Sequence, residues 1–101
     1  MKVKFLNPDL SDIFQGIYKG KPLYSKEVIK KFIQKVQMVQ FVDSIIDLYK
    51  SKGLHFEKLQ NGYHSIRVNE KYRVIFLIEK DDITVEDIIV IEDLSNHYGD
   101  N

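Results

Sequence analysis

From Gly62 to Phe76 the chain reads Gly-Tyr-His-Ser-Ile-Arg-Val-Asn-Glu-Lys-Tyr-Arg-Val-Ile-Phe, with apolar and polar side chains alternating on both sides of a short polar break. A period of two on each side of a break predicts two antiparallel strands joined by a tight turn. The loop length decides what each face carries. If Asn69-Glu70-Lys71 form the loop, Val68 opposes Tyr72, Ile66 opposes Val74 and His64 opposes Phe76, which gives one apolar face. The same register sets Arg67 opposite Arg73 on the other face. A two-residue loop would pair Arg67 with Val74 and mix core with solvent, because a slip of one residue exchanges the faces. Two arginines directly opposite each other repel by a few tenths to ~1 kcal/mol unless something anionic lies between them. The second face is therefore predicted to hold phosphate.

Other elements follow from caps and periodicity. Lys2 to Leu6 alternates as a short strand. Asn7-Pro8 then starts a helix, with Asn as N-cap and Pro at the first helical position. Leu10, Ile13, Phe14 and Ile17 recur at helical spacing, and Gly16 or Gly20 can end that helix. Ser25 caps a second helix whose apolar stripe is Val28, Ile29, Phe32, Ile33 and Val36. Its Lys26, Lys30, Lys31 and Lys35 face outwards, as a solvated face or an RNA contact. A break near Gln40 to Asp43 is predicted to give a third, shorter helix that stops at Lys52-Gly53. From Leu54 the period is two again. Leu54–Gln60 reads as a strand, Asn61-Gly62 as a hairpin turn, and Thr84–Asp93 as the last strand. The expected fold class is α+β. Two or three N-terminal helices pack on a largely antiparallel sheet of four to five strands, in one domain over residues 1–101.

Charge narrows the function. Residues 1–78 hold fourteen Lys/Arg and seven Asp/Glu, whereas residues 79–101 hold Lys80 against eight acids. The neutral total argues against promiscuous nucleic-acid binding, yet the segregation permits a basic patch. The chain has no cysteine, which removes disulfides and thiolate metal sites. The three histidines show no metal-ligand spacing, so no metal and no cofactor is expected. The N-terminus lacks a signal-peptide apolar region, and no run approaches the ~20 apolar residues of a membrane span. A cytoplasmic location is expected.

The run Ser-Ile-Arg-Val-Asn-Glu-Lys-Tyr-Arg-Val-Ile-Phe, residues 65–76, resembles the signature hairpin of the RelE/ParE toxin superfamily, closest to its HigB-like and YoeB-like branches. The likeness runs from Leu54 to about Tyr98 and is architectural before that. It implies the toxin of a bacterial toxin–antitoxin pair, with an antitoxin protein, mRNA and the ribosome as partners. The implied activity is mRNA cleavage on the ribosome. YoeB-like chains end in a His-Tyr pair that works with an arginine, which carries over to His97, Tyr98 and Arg73. Arg67 matches an arginine of the same hairpin. HigB-like members tend to close their last strand with Asp-Tyr-His, whereas Asp93-Leu94-Ser95 stands here.

RNA cleavage without a metal uses the 2′-OH as nucleophile. It needs a base, a cation on the phosphorane and an acid for the leaving 5′-oxygen. Arg73 suits the cation, since a guanidinium grips two phosphate oxygens. His97 can serve as acid or base, and Tyr98 can orient the phosphate or stack on a base. For the second proton-transfer group, a two-residue Asn61-Gly62 turn pairs Lys58 with Ser65 and puts it on the arginine face. A bulge would reverse this and bring His55 and Glu57 into the site. Lys58 is the expected second group, with Arg67, His55 and Lys71 as RNA contacts. Arg73→Ala and His97→Ala are each expected to abolish cleavage with the fold intact.

Blander readings stand beside these. The arginines can be structural, paired with Glu92 or Asp93. His64 is expected to be a packed core histidine. Two other functions use the same fold: a non-nucleolytic, ParE-like inhibitor of DNA gyrase, or a degenerate binding-only relative.

Overall fold

The helices start where polar caps occur. A computed structural model describes residues 1–96. In it Asn7 Oδ1 accepts the N–H groups of Asp9 and Leu10 at 3.0 and 3.3 Å, opening helix α1 at Pro8–Gln15. Gly16 ends α1 in the left-handed region at φ 76°, where a side chain would be strained. Ser25 Oγ accepts from Val28 N–H and opens α2, Lys26–Phe41. Ser44 does the same for Asp47 and opens α3, Ile45–Lys50. The break after Phe41 falls within the predicted window.

Five strands follow the order β1-β5-β4-β3-β2 across one sheet. They are β1 (Lys2–Phe5), β2 (Glu57–Lys58), β3 (His64–Arg67), β4 (Arg73–Lys80) and β5 (Asp87–Ser95). All neighbours are antiparallel except β1, which lies parallel to β5 at the edge. The α helices bury Leu10, Ile13, Val28, Phe32, Val36, Val39 and Leu48 against Ile66, Val68, Val74, Phe76, Ile89, Ile91 and Leu94. The helices therefore cover one face of the sheet; the other, here the open face because the helical core does not pack on it, still buries Ser65, Arg73 and Val90.

The central hairpin has the register that the three-residue loop requires. His64 pairs with Phe76, Ile66 with Val74 and Arg67 with Arg73. Val68 N–H donates to Tyr72 O at 3.0 Å, and Asn69 Oδ1 accepts from the N–H groups of Lys71 and Tyr72. An asparagine at the first loop position closes the turn in this way.

Two expectations need correction. The strand expected at Leu54–Gln60 shrinks to Glu57–Lys58, because Lys52–Leu54 makes a 3-10 turn and His55 adopts φ 47°. The last strand starts at Asp87, because Asp81 Oδ1 accepts from Ile83 and Thr84 N–H and prolongs the turn. β5 also carries a bulge that no pattern signalled. Ile91 pairs with Phe76 but Asp93 pairs with Ile75, which leaves Glu92 as the extra residue. That insertion turns Leu94 into the core and leaves Asp93 and Ser95 on the open face.

His64 is on the core face, as expected. Its ring stacks on Phe56 at 5.4 Å and on Phe76 at 5.7 Å, and its buried Nδ1 has no hydrogen-bond partner. Burial, and secondarily the charge of Lys58, hold its pKa below the ordinary value. Between that lowered value and the unfolded value near ~6.5, the unfolded chain binds a proton that the folded one refuses. Stability is therefore expected to fall as pH drops below about 6.5. His64→Phe should flatten that part of a stability–pH curve measured by urea unfolding. An unchanged slope would show that another group is responsible.

Candidate active site

Strand pairing alone sets two guanidinium groups side by side on the open face, since Arg67 and Arg73 are direct cross-strand partners. Arg73 is 7% exposed, and its Nη1 donates to the carbonyl oxygens of Asn69 at 2.7 Å and Tyr72 at 3.1 Å. The loop thus holds this side chain in place. Burial, then the neighbouring charge of Arg67, push the Arg73 pKa below its ordinary value, while Glu57 pulls it the other way. An arginine remains charged under such shifts. The bland pairing fails for Arg67, which forms no ion pair with Glu92 or Asp93 among the described residues. Glu92 instead acts on the Tyr63 hydroxyl, whose pKa it raises. Asp93 Oδ1 accepts its neighbour's N–H at 2.8 Å.

The register of β2 overturns the placement of Lys58. Lys58 pairs with His64 and Glu57 with Ser65. The loop has three residues, Gln60-Asn61-Gly62, with Leu59 N–H donating to Tyr63 O at 2.8 Å and with Asn61 and Gly62 both at positive φ. One extra loop residue exchanges the faces of β2. The physical cause is next door. Phe56 packs on Tyr49, His64 and Phe76 at 4.5, 5.4 and 5.9 Å, so its parity must be that of the core. Glu57 then faces the arginines, and its charge is felt by Arg73. A carboxylate on the core face would have been left without solvation.

The other site candidates disperse. His55 is exposed and lies outside β2, and Lys71 is exposed in the hairpin loop. His97 and Tyr98 lie outside the described residues. The strand leading to them does reach the site, as expected from the topology: Ser95 pairs with Arg73. Tyr24, which no motif marked, anchors that strand end by donating its hydroxyl to Leu94 O at 2.9 Å. Its ring meets Tyr72 edge-on at 5.7 Å, and burial, then Asp93, raise its pKa.

Two polar atoms here lack protein partners. Ser65 has no exposed surface, and neither its Oγ nor the buried Nε of Arg67 finds a hydrogen-bond partner. A hydroxyl or N–H left so costs ~1–3 kcal/mol. Sequence reading passed over Ser65, although its parity with Arg67 on one strand placed it on the same face.

Comparison with known proteins agrees with the fold. Two solved structures share the fold over nearly their whole length. The YoeB/ParE toxin from Agrobacterium tumefaciens matches with a TM-score of 0.54 and 13% identity, covering 97% of this chain and 100% of that one. The YoeB dimer from Staphylococcus aureus matches with a TM-score of 0.53 and 18% identity, covering 97% and 98%. No curated protein matches the sequence. A family model described as the RelE-like toxin of type II toxin–antitoxin system HigB matches residues 5–90. That span takes in the helices, the paired arginines and the start of β5, so the chain belongs to the HigB-like family of RelE-like type II toxins.

Proposed function

We propose that this toxin is a ribosome-dependent mRNA endonuclease that works without a metal cofactor. The observation that carries the reading is the pair Arg67–Arg73 with Glu57 on the same open face. A carboxylate can serve as the base, and the cations can stabilise the phosphorane, that 2′-OH attack on a phosphodiester needs. Glu57 takes the 2′-OH proton as the O2′–P bond forms. Arg73, fixed by the loop carbonyls, and Arg67 stabilise the charge on the phosphorane. As the P–O5′ bond breaks, an acid protonates the leaving oxygen; His97 takes that role and Tyr98 orients the phosphate, on their match to the YoeB-like tail. The products are a 2′,3′-cyclic phosphate and a 5′-OH. Lys71 and His55, exposed near the same end of β3 and β2, are RNA contacts.

A protein antitoxin is the partner, as the family's toxin–antitoxin character suggests. It would neutralise the toxin by covering the open face or displacing the tail. The protein would act in the cytoplasm, and no helix among the described residues is long and apolar enough to cross a membrane.

The test is to map RNA ends after incubating purified protein with translating ribosomes and, separately, with naked RNA. Cuts within codons on ribosomes, with 5′-OH ends, are expected. Cuts on naked RNA alone would overturn the ribosome dependence. No cuts in either reaction would overturn the nuclease and leave a gyrase-type inhibitor to be tested on the same fold.

A further inference from the structure

Ser65 lies on the open face one strand in from the β2 edge, paired to Glu57 on one side and to Ile75 on the other. Arg67 stands two residues along the same strand, hence on the same face at a spacing of about 7 Å. Arg73 is its diagonal neighbour across the strand pair, at roughly 7–8 Å. Ser65 Oγ and Arg67 Nε are both buried and both without a protein partner. Few groups in folded proteins remain in that state, and here two occur at successive positions of one face. Both carry a hydrogen to donate, so both want the same complement, an acceptor oxygen.

Alanine at position 65 would remove the orphan hydroxyl, and apolar Ile75 beside it shows that this face accepts such side chains. Packing alone therefore does not call for a hydroxyl at this position. A phosphate supplies what is missing: its two non-bridging oxygens present several acceptor sites within the reach of one hydroxyl and two guanidinium groups. Ser65 has no exposed surface, so a ligand oxygen reaches its hydroxyl only when the longer side chains beside it, Glu57 and Arg67, move aside.

We propose that Ser65 Oγ–H and Arg67 Nε–H bind the non-bridging oxygens of the phosphodiester, making Ser65 a substrate-binding residue of this toxin. The inference rests on the nuclease reading above. Ser65 forms no covalent bond and moves no proton; it donates one hydrogen bond.

The experiment compares wild type, Ser65→Ala and Arg67→Lys, each as the full chain. Thermal melting is measured with affinity for a ribosome-bound RNA oligonucleotide carrying a 2′-deoxy sugar at the cleavage position, and with end mapping on ribosomes. Ser65→Ala is expected to melt at or above the wild-type temperature while binding the uncleavable oligonucleotide roughly 10- to 100-fold more weakly, as for a lost hydrogen bond to a charged group. Arg67→Lys keeps the charge but removes the Nε–H, and should weaken binding too. Unchanged binding by Ser65→Ala would overturn the assignment even if wild type cleaves. A lower melting temperature with unchanged affinity would make the serine structural. A wild type that neither binds nor cleaves would overturn the nuclease reading and this inference together.

Discussion

Glu57→Gln is expected to slow RNA cleavage by roughly 10²- to 10⁴-fold, the usual share of a general base, while the protein melts as before. Glutamine has the shape of glutamate but cannot take a proton from a 2′-OH. Glu57 is exposed on a two-residue edge strand, so little packing is at stake. The informative partner is Lys58→Met. The chain neighbours are one residue apart but face opposite sides of the sheet, Glu57 beside Ser65 and Lys58 beside His64. Lys58→Met should therefore stay within a few-fold of wild type in a cleavage assay on ribosomes. An active Glu57→Gln beside an inactive Lys58→Met would reverse the assignment. Arg73→Ala is a poorer probe, and the expectation that it would spare the fold does not survive the structure. Its guanidinium holds two loop carbonyls, so truncation strands them as well as removing the cation.

The contrast between Arg73 and Lys58 shows where sequence reading reaches and where it stops. Arg67 and Arg73 could be placed opposite each other because only a three-residue loop leaves Ile66, Val74 and Phe76 on one face. Each alternative wasted apolar area. The caps at Asn7 and Ser25, and a helix stop at Gly16 or Gly20, were legible for a similar reason, since each solves a local hydrogen-bonding or backbone problem. β2 had no such constraint. With two residues in the strand, its parity hung on whether Gln60 joined the Asn61-Gly62 turn, and Phe56 decided that by packing on residues far along the chain. The β5 bulge escaped because Ile88-Ile89-Val90-Ile91 is apolar throughout and carries no alternation to interrupt. Ser65 escaped because an orphan hydroxyl is a property of its surroundings and leaves no mark on the chain.

Phe76→Ala is expected to be the most damaging single core change, at about 3–5 kcal/mol. The side chain is fully buried, and its ring meets Phe56 at 5.9 Å and His64 at 5.7 Å. Alanine would leave a cavity under the middle of β4, bounded by strands on both sides that cannot close in without breaking their ladders. Set against the 5–15 kcal/mol typical of a whole domain, roughly a third or more of the stability would go. At about 4–8 °C per kcal/mol for a chain of this size, the melting temperature should fall by roughly 12–40 °C. Phe41 supplies the control. It is 87% exposed at the end of α2, and Phe41→Ala should shift stability by no more than about 0.5 kcal/mol. The loss at Phe76 should reach the site as well, because Phe76 pairs with Ile91 at the point where β5 bulges and turns Ser95 towards Arg73. A Phe76→Ala protein assayed well below its melting temperature should therefore cleave more slowly than wild type, and Phe41→Ala should not. Equal melting temperatures for the two variants would mean that the β4 core is packed elsewhere, and that the register placing the arginines together is wrong.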